Sequence, residues 1–233
     1  MNAKRAIANL ALTEKEAIVK KLPVTLAALG LIACSGFALA APEGDAERGA
    51  ASAAVCSACH QADGSGMNIA GGESWPRLAG LDANYIAKQL HDYKSGSRVN
   101  ASMMPFANML NDQQIADVAA HYASLPATEG KGGESADEAT LKRGKQLAER
   151  GDWSNYIVSC KSCHGPDNQG AGDAFPGIAG QHAGYIKAQL TAWKAGNRRN
   201  DPQDLMGTIA RRMSDDDIHA VAVWLAIQNP TAN

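Results

Sequence analysis

The chain has 233 residues, with 22 lysines and arginines against 24 aspartates and glutamates, a net charge of −2. This balance excludes the basic surface of a nucleic-acid binder, and no stretch beyond the first forty residues approaches the roughly 20 apolar residues of a membrane-spanning helix. Aromatic residues make up only 5% of the chain, so something other than rings must fill its cores.

Residues 1–40 read as a secretory signal. A basic start (Lys4, Arg5, Lys15, Lys20, Lys21) leads into an apolar run over 22–37 and the small-x-small site Ala38-Leu39-Ala40. Leu31-Ile32-Ala33-Cys34 also resembles a lipoprotein cleavage box, which would leave Cys34 diacylated and the chain anchored to a membrane. Cleavage near Ala40 is the primary expectation, and it removes Cys34.

The mature part then opens with Asp45, a cap for a short helix over 46–55. That helix runs into Cys56-Ser57-Ala58-Cys59-His60, a Cys-x-x-Cys-His pattern that reads as covalent haem attachment. Two thiols three positions apart on one helical turn can both add to the vinyl groups of one porphyrin, with the adjacent histidine under the iron. Zinc would need a second ligand pair, and thioredoxin-like chemistry needs no following histidine. Residues 85–93 carry helical apolar spacing and stop before Gly96. A further helix starts at Asn111-Asp112 and runs through Ile115, Val118, Ala119 and Tyr122. Residues 126–138, rich in Gly, Glu, Ser and Lys, read as a solvated linker.

The same series then returns. A helix over 138–150 precedes Cys160-Lys161-Ser162-Cys163-His164, Phe175-Pro176-Gly177-Ile178-Ala179-Gly180 echoes Trp75-Pro76-Arg77-Leu78-Ala79-Gly80, and a last helix follows Ser214-Asp215. Tyr85, Gln89, Lys94, Arg98 and Asn100 reappear as Tyr185, Gln189, Lys194, Arg198 and Asn200. A period near 100 is longer than any solenoid unit and means a duplicated domain. No strand alternation is visible, so the fold expected is all-α. Its expected layout is signal 1–40, domain 41–126, linker 127–137 and domain 138–233. Each half is small for a self-sufficient core, and a covalent macrocycle would supply the missing apolar bulk. Gly49 and Gly144, each after an arginine, suit a close crossing of first and last helices, with His121 and Trp224 as the larger partners.

With His60 and His164 on one side of each iron, the sixth position decides between carrier and catalyst. Aligning the halves from Ile115 and Ile218 pairs Met103 with Met206, while Met104 falls on Gly207 and Met109 on Arg212. Met103 and Met206 are therefore the expected sixth ligands. Met67, Met104, Met109 and Met213 are read as gap-fillers. His91, His121, His182 and His219 are read as surface or packed histidines, and the pairs Arg198-Arg199 and Arg211-Arg212 as solvated, with contact to a haem propionate as the alternative.

CSACH, WPRLAG, NYIAKQL, MMPFA and DQQIADVAAHYASL, with their second copies, resemble the dihaem cytochrome c4 family over nearly all of the mature chain. The resemblance implies two class I cytochrome c domains facing each other about a pseudo-twofold axis, with haem propionates near the interface. It also implies two covalent haem c groups on Cys56, Cys59, Cys160 and Cys163, and His/Met ligation by His60, Met103, His164 and Met206. The carbonyls of Pro76 and Pro176 would orient the histidines. The departures are His121 where the second copy has Trp224, and the long leader. The implied protein is a periplasmic one-electron carrier and not an enzyme. Its expected partners are an upstream quinol-oxidising complex or small copper protein and a downstream terminal oxidase; membrane association would come through a partner or a lipid at Cys34. A dihaem peroxidase or sulfur-compound dehydrogenase is the rival, and it would need an open iron or a cysteine ligand. Residues 43–130 hold 10 acidic against 5 basic side chains and residues 131–233 hold 12 of each, so the first haem is expected to have the lower potential.

Overall fold

The computed structural model describes residues 42–230, so the leader, with both readings of Cys34, lies outside the described residues. In the first half, α1 (Ala46–Ser52) tightens into a 3-10 turn (Ala53–Val55) before α2 (Ser57–His60), and α3 (Ala83–Ser95), α4 (Met104–Met109) and α5 (Asp112–Ser124) follow. The second half repeats this as α6 (Glu138–Glu149), α7 (Lys161–His164), α8 (Ala183–Lys194), α9 (Leu205–Ala210) and α10 (Asp215–Ala226). No strand occurs among the described residues, only isolated bridges such as that between Met67 and Trp75.

The helix starts follow from their caps. Asp45 accepts from the Arg48 amide, and Asn111 and Ser214 each form a reciprocal capping box, with Gln114 and Asp217. Gly96 closes α3 in the left-handed region at φ 79°, a conformation open to glycine at little cost.

In each half the first helix crosses the last at a glycine. A Cβ on Gly49 would lie 2.0 Å from the Asp117 carbonyl oxygen and 2.8 Å from the His121 Cβ. Gly144 meets the Ala220 carbonyl and Trp224 in the same way, as its sequence position predicts. The arginine before each glycine locks the crossing, but to carboxylates one turn apart: Arg48 binds Asp117, Arg143 binds Asp217.

Two separate cores result. Ile86, Leu90, Tyr93, Ile115, Val118 and Tyr122 centre the first, and Leu147, Ile186, Leu190, Ile218, Val221 and Leu225 the second. The connection expected to be solvated is instead laid against the second half. The Lys131 amide donates to His182 Nδ1, the Lys131 carbonyl accepts from Ala183, and Gly130 and Gly133 are buried against the Ala226 and Val223 carbonyls. Glycines, having no side chain, let this polar segment pack backbone to backbone, which composition alone does not reveal.

Candidate functional site

Each Cys-x-x-Cys-His stretch is a single helical turn. The His60 amide donates to the Cys56 carbonyl at 2.9 Å and His164 to Cys160 at 2.9 Å, which places both sulfurs and the imidazole within one turn. All four cysteines are free of disulfides. Burial pushes the Cys160 thiol up to about 12 and raises that of Cys56, so both stay neutral sulfurs.

The imidazoles are buried and fixed. His60 Nδ1 donates to the Pro76 carbonyl at 2.9 Å and His164 Nδ1 to Pro176 at 2.7 Å. With the proton on Nδ1, Nε2 is the basic nitrogen, and burial holds both rings below the ordinary histidine pKa while the carbonyl opposes that shift. Phe175 packs edge-on against His164.

Met103 and Met206 each pack, half-buried, against the core that includes Cys56 or Cys160. Their backbones are held by different residues. Asn100 Oδ1 accepts from the Met103 amide and Asp201 Oδ2 from the Met206 amide, both at 2.8 Å. Three extra residues before Met206 are accommodated by a 3-10 turn, Pro202–Asp204, with Gln203 and Asp204 at positive φ. Of the other methionines, Met213 is buried in the second core and Met104 packs on the first, whereas Met67 and Met109 are exposed.

Each half buries a polar side-chain group. Tyr122 Oη in the first half lies beside Cys56 and Ser57, and the Asn168 side-chain amide in the second is buried without a hydrogen-bond partner. The two are linked by a size exchange. Position 64 is glycine where position 168 is asparagine, each accepting from two amides of the WPRLAG or FPGIAG segment, and Tyr122 fills the space above Gly64 where the second half has Leu225.

The halves meet through reciprocal polar contacts. Arg98 reaches across to Gln189 (2.9 Å) and Tyr185 (2.9 Å), and Arg198 reaches back to Gln89 (3.1 Å). Such an exchange, residue i to j and j to i, is the signature of a twofold relation. Both guanidiniums are buried, Arg98 over Tyr93 and Arg198 over Trp193, so Arg198 is not the solvated residue its sequence suggests; Arg199, Arg211 and Arg212 are exposed as expected. Arg77, 2% exposed, donates to the carbonyls of Gly180, Ala179 and Ala79, while Gln181 brackets its backbone. His182 is packed, as its sequence reading allows, and spans the interface from the Lys131 amide to the Ser65 carbonyl. Sequence reading did not single these residues out as an interface. The available signal was the exact return of Gln89, Arg98 and Asn100 at a period of 100, polar residues that a solvated helix face would not need twice.

The residues fit haem c. Paired free thiols beside an imidazole with Nε2 available, a thioether packed on the same core, and buried guanidiniums with only neutral acceptors match an apolar macrocycle that carries iron and carboxylates. When bound, each haem c supplies a one-electron ferric/ferrous couple. The chain's own part is to hold the thioether carbons at Cys56, Cys59, Cys160 and Cys163 and to keep the rings dry.

Fold and site thus define a c-type cytochrome with two covalent haem c groups. The Cytochrome c family model matches residues 46–126 and again 141–227. The chain is 49% identical over 175 residues to the thiosulfate dehydrogenase electron acceptor of Stutzerimonas stutzeri, covering 75% of this chain and 79% of that one. To cytochrome c4 of Pseudomonas aeruginosa it is 38% identical over 208 residues, 88% of this chain and 97% of the other. The crystal structure of reduced cytochrome c4 from Pseudomonas stutzeri superposes with a TM-score of 0.72 at 35% identity, over 80% of this chain and 100% of that one. The chain belongs to the dihaem cytochrome c4 family, all-α with two cytochrome c domains, and is an electron-transfer protein rather than an enzyme.

Proposed function

We propose that this protein is an exported dihaem carrier that takes electrons one at a time from a thiosulfate dehydrogenase and passes them to a terminal oxidase. The observation that carries the choice of donor is the 49% identity to a protein named as the electron acceptor of that enzyme, against 38% to a cytochrome c4. In this reading His60 with Met103 and His164 with Met206 ligate the two irons, and no cysteine remains after Cys163 for another coordination chemistry. Export rests on the leader and on covalent attachment outside the cytoplasm, and no helix among the described residues is long and apolar enough to cross a membrane. The test is to mix the oxidised holoprotein with thiosulfate and a catalytic amount of thiosulfate dehydrogenase and follow the reduced haem bands. Full reduction of both haems, absent without the enzyme, is expected. Reduction only by a quinol-oxidising complex or a reduced copper protein would replace the donor named here.

A further inference from the structure

The second half contains a ten-residue stretch, 150–159, between α6 and Cys160, where the first half has only the turn Ala53–Val55. This stretch is a pinned knuckle. The Asp152 amide donates to the Ile157 carbonyl at 2.8 Å and the Ile157 amide returns to Asp152 at 2.9 Å. The Asp152 carboxylate is turned inward, accepting from Arg143, Ser154 and Asn155, and Ile157 is 1% exposed in the second core.

This rigid frame presents Trp153 and Tyr156 to solvent, at 70% and 72% exposed. Rigid exposed tryptophan and tyrosine are the side chains that anchor protein interfaces at low entropic cost. The Arg212 guanidinium lies 6.0 Å from the Tyr156 ring, and Lys161 and Arg150, exposed and within six residues of the knuckle in sequence, have no carboxylate partner among the described residues. The three matching positions of the first half are uncharged: Val55, Ser57 and the exposed Met109 stand where the second half has Ser159, Lys161 and Arg212.

We propose that Trp153, Tyr156, Lys161 and Arg212 form a docking surface for the acidic face of a redox protein, and that this partner exchanges electrons through the second haem. The proposal rests on the carrier reading above. Charge selects the occupant: two exposed cations, Lys161 and Arg212, flank two aromatic rings, and the Asp152 and Asp217 carboxylates are both engaged by Arg143, so the patch complements an acidic surface. The patch adjoins Cys160, one of the two cysteines that would hold the second haem, so a partner seated here would approach the side on which that group is attached. One electron crosses; the second iron goes from ferric to ferrous, the donor is oxidised by one electron, and no proton moves.

The test uses the oxidised holoprotein and a reduced acidic ferredoxin as donor, with the second-order rate of haem reduction measured in stopped flow against ionic strength. The wild-type rate falls as salt rises. Arg212→Glu with Lys161→Glu lowers the low-salt rate by about tenfold or more and flattens that dependence. Trp153→Ser with Tyr156→Ser lowers the rate at every ionic strength and leaves the slope alone, and Met109→Glu changes neither. Midpoint potentials and haem spectra stay at wild-type values in all variants, which separates docking from damage to the site. Wild-type rates and slopes in both double variants overturn the proposal. It is equally overturned if those rates hold while the patch binds phosphatidylglycerol vesicles or pairs two copies of this chain. A purified wild type without covalent haem would instead sink the carrier reading itself, a failure visible before any rate is measured.

Discussion

Gly144 lies against Trp224 so closely that a Cβ on the glycine would stand 2.6 Å from the Trp224 Cβ and 2.2 Å from the Ala220 carbonyl oxygen. Neither neighbour can yield: the carbonyl is helix backbone, and Trp224 belongs to the second core. Gly144→Ala therefore forces α6 away from α10. The expected cost is about 1–3 kcal/mol, typical of an overpacked core, read as a fall in the thermal midpoint of the holoprotein. An unchanged melt would mean that the crossing relaxes freely.

This crossing is a case where sequence pattern was sufficient, because Arg-Gly pairs and aligned large residues repeat in both halves. The caps at Asp45, Asn111 and Ser214 were legible for the same reason: each has one side-chain oxygen and one place to use it. The interface was not legible. Arg77 has no counterpart, since Gly177 stands at its position, and two of its three carbonyl partners lie about a hundred residues away, which no local pattern encodes. Arg198 was misread because a charged pair on a chain looks solvated until the second domain covers it.

The paired methionines give the next prediction. Met103→Ala and Met206→Ala should each remove the far-red sulfur-to-iron absorption of one ferric haem and let that reduced haem bind carbon monoxide. Both sulfurs pack on the cores of their own halves, and so does Met104. If Met104→Ala produces this signature and Met103→Ala does not, the register between the halves is wrong by one residue.

Acid should loosen the contact between the halves through His182. Its Nδ1 accepts from the Lys131 amide and its Nε2 donates to the Ser65 carbonyl, an arrangement only the neutral ring can make. Burial lowers its pKa below 6.5, and the nearby Arg77 and Lys131 charges add to this. The unfolded ring thus takes up its proton at higher pH than the folded ring. The contribution is complete above about 6.5 and falls as pH drops through the lowered value. Thermal melts between pH 8 and pH 5 should show this loss in the wild type. The His182→Gln variant should start less stable and show a flatter profile, and equal slopes would remove His182 from the account.

The two haems should titrate with separate midpoint potentials, the first lower at low ionic strength because its half carries 10 acidic against 5 basic side chains. Most of that excess is exposed and screened beyond about 10 Å at 0.1 M salt, so the gap should narrow as salt is added. Arg77 acts in the opposite sense and escapes screening. It is 2% exposed, and burial lowers its pKa only to about 10, leaving it charged at neutral pH. A buried cation one residue after Pro76, whose carbonyl holds His60, favours the ferrous state. A unit charge about 10–20 Å away at an effective dielectric of about 20 is worth about 0.8–1.7 kcal/mol, or about 35–75 mV for a one-electron couple. Arg77→Gln should therefore lower the first potential by about that much at all ionic strengths. Arg77→Lys, which keeps the charge, should restore most of it. A redox titration in which both variants shift equally would show that the lost contacts to Ala179 and Gly180, rather than the charge, set the potential.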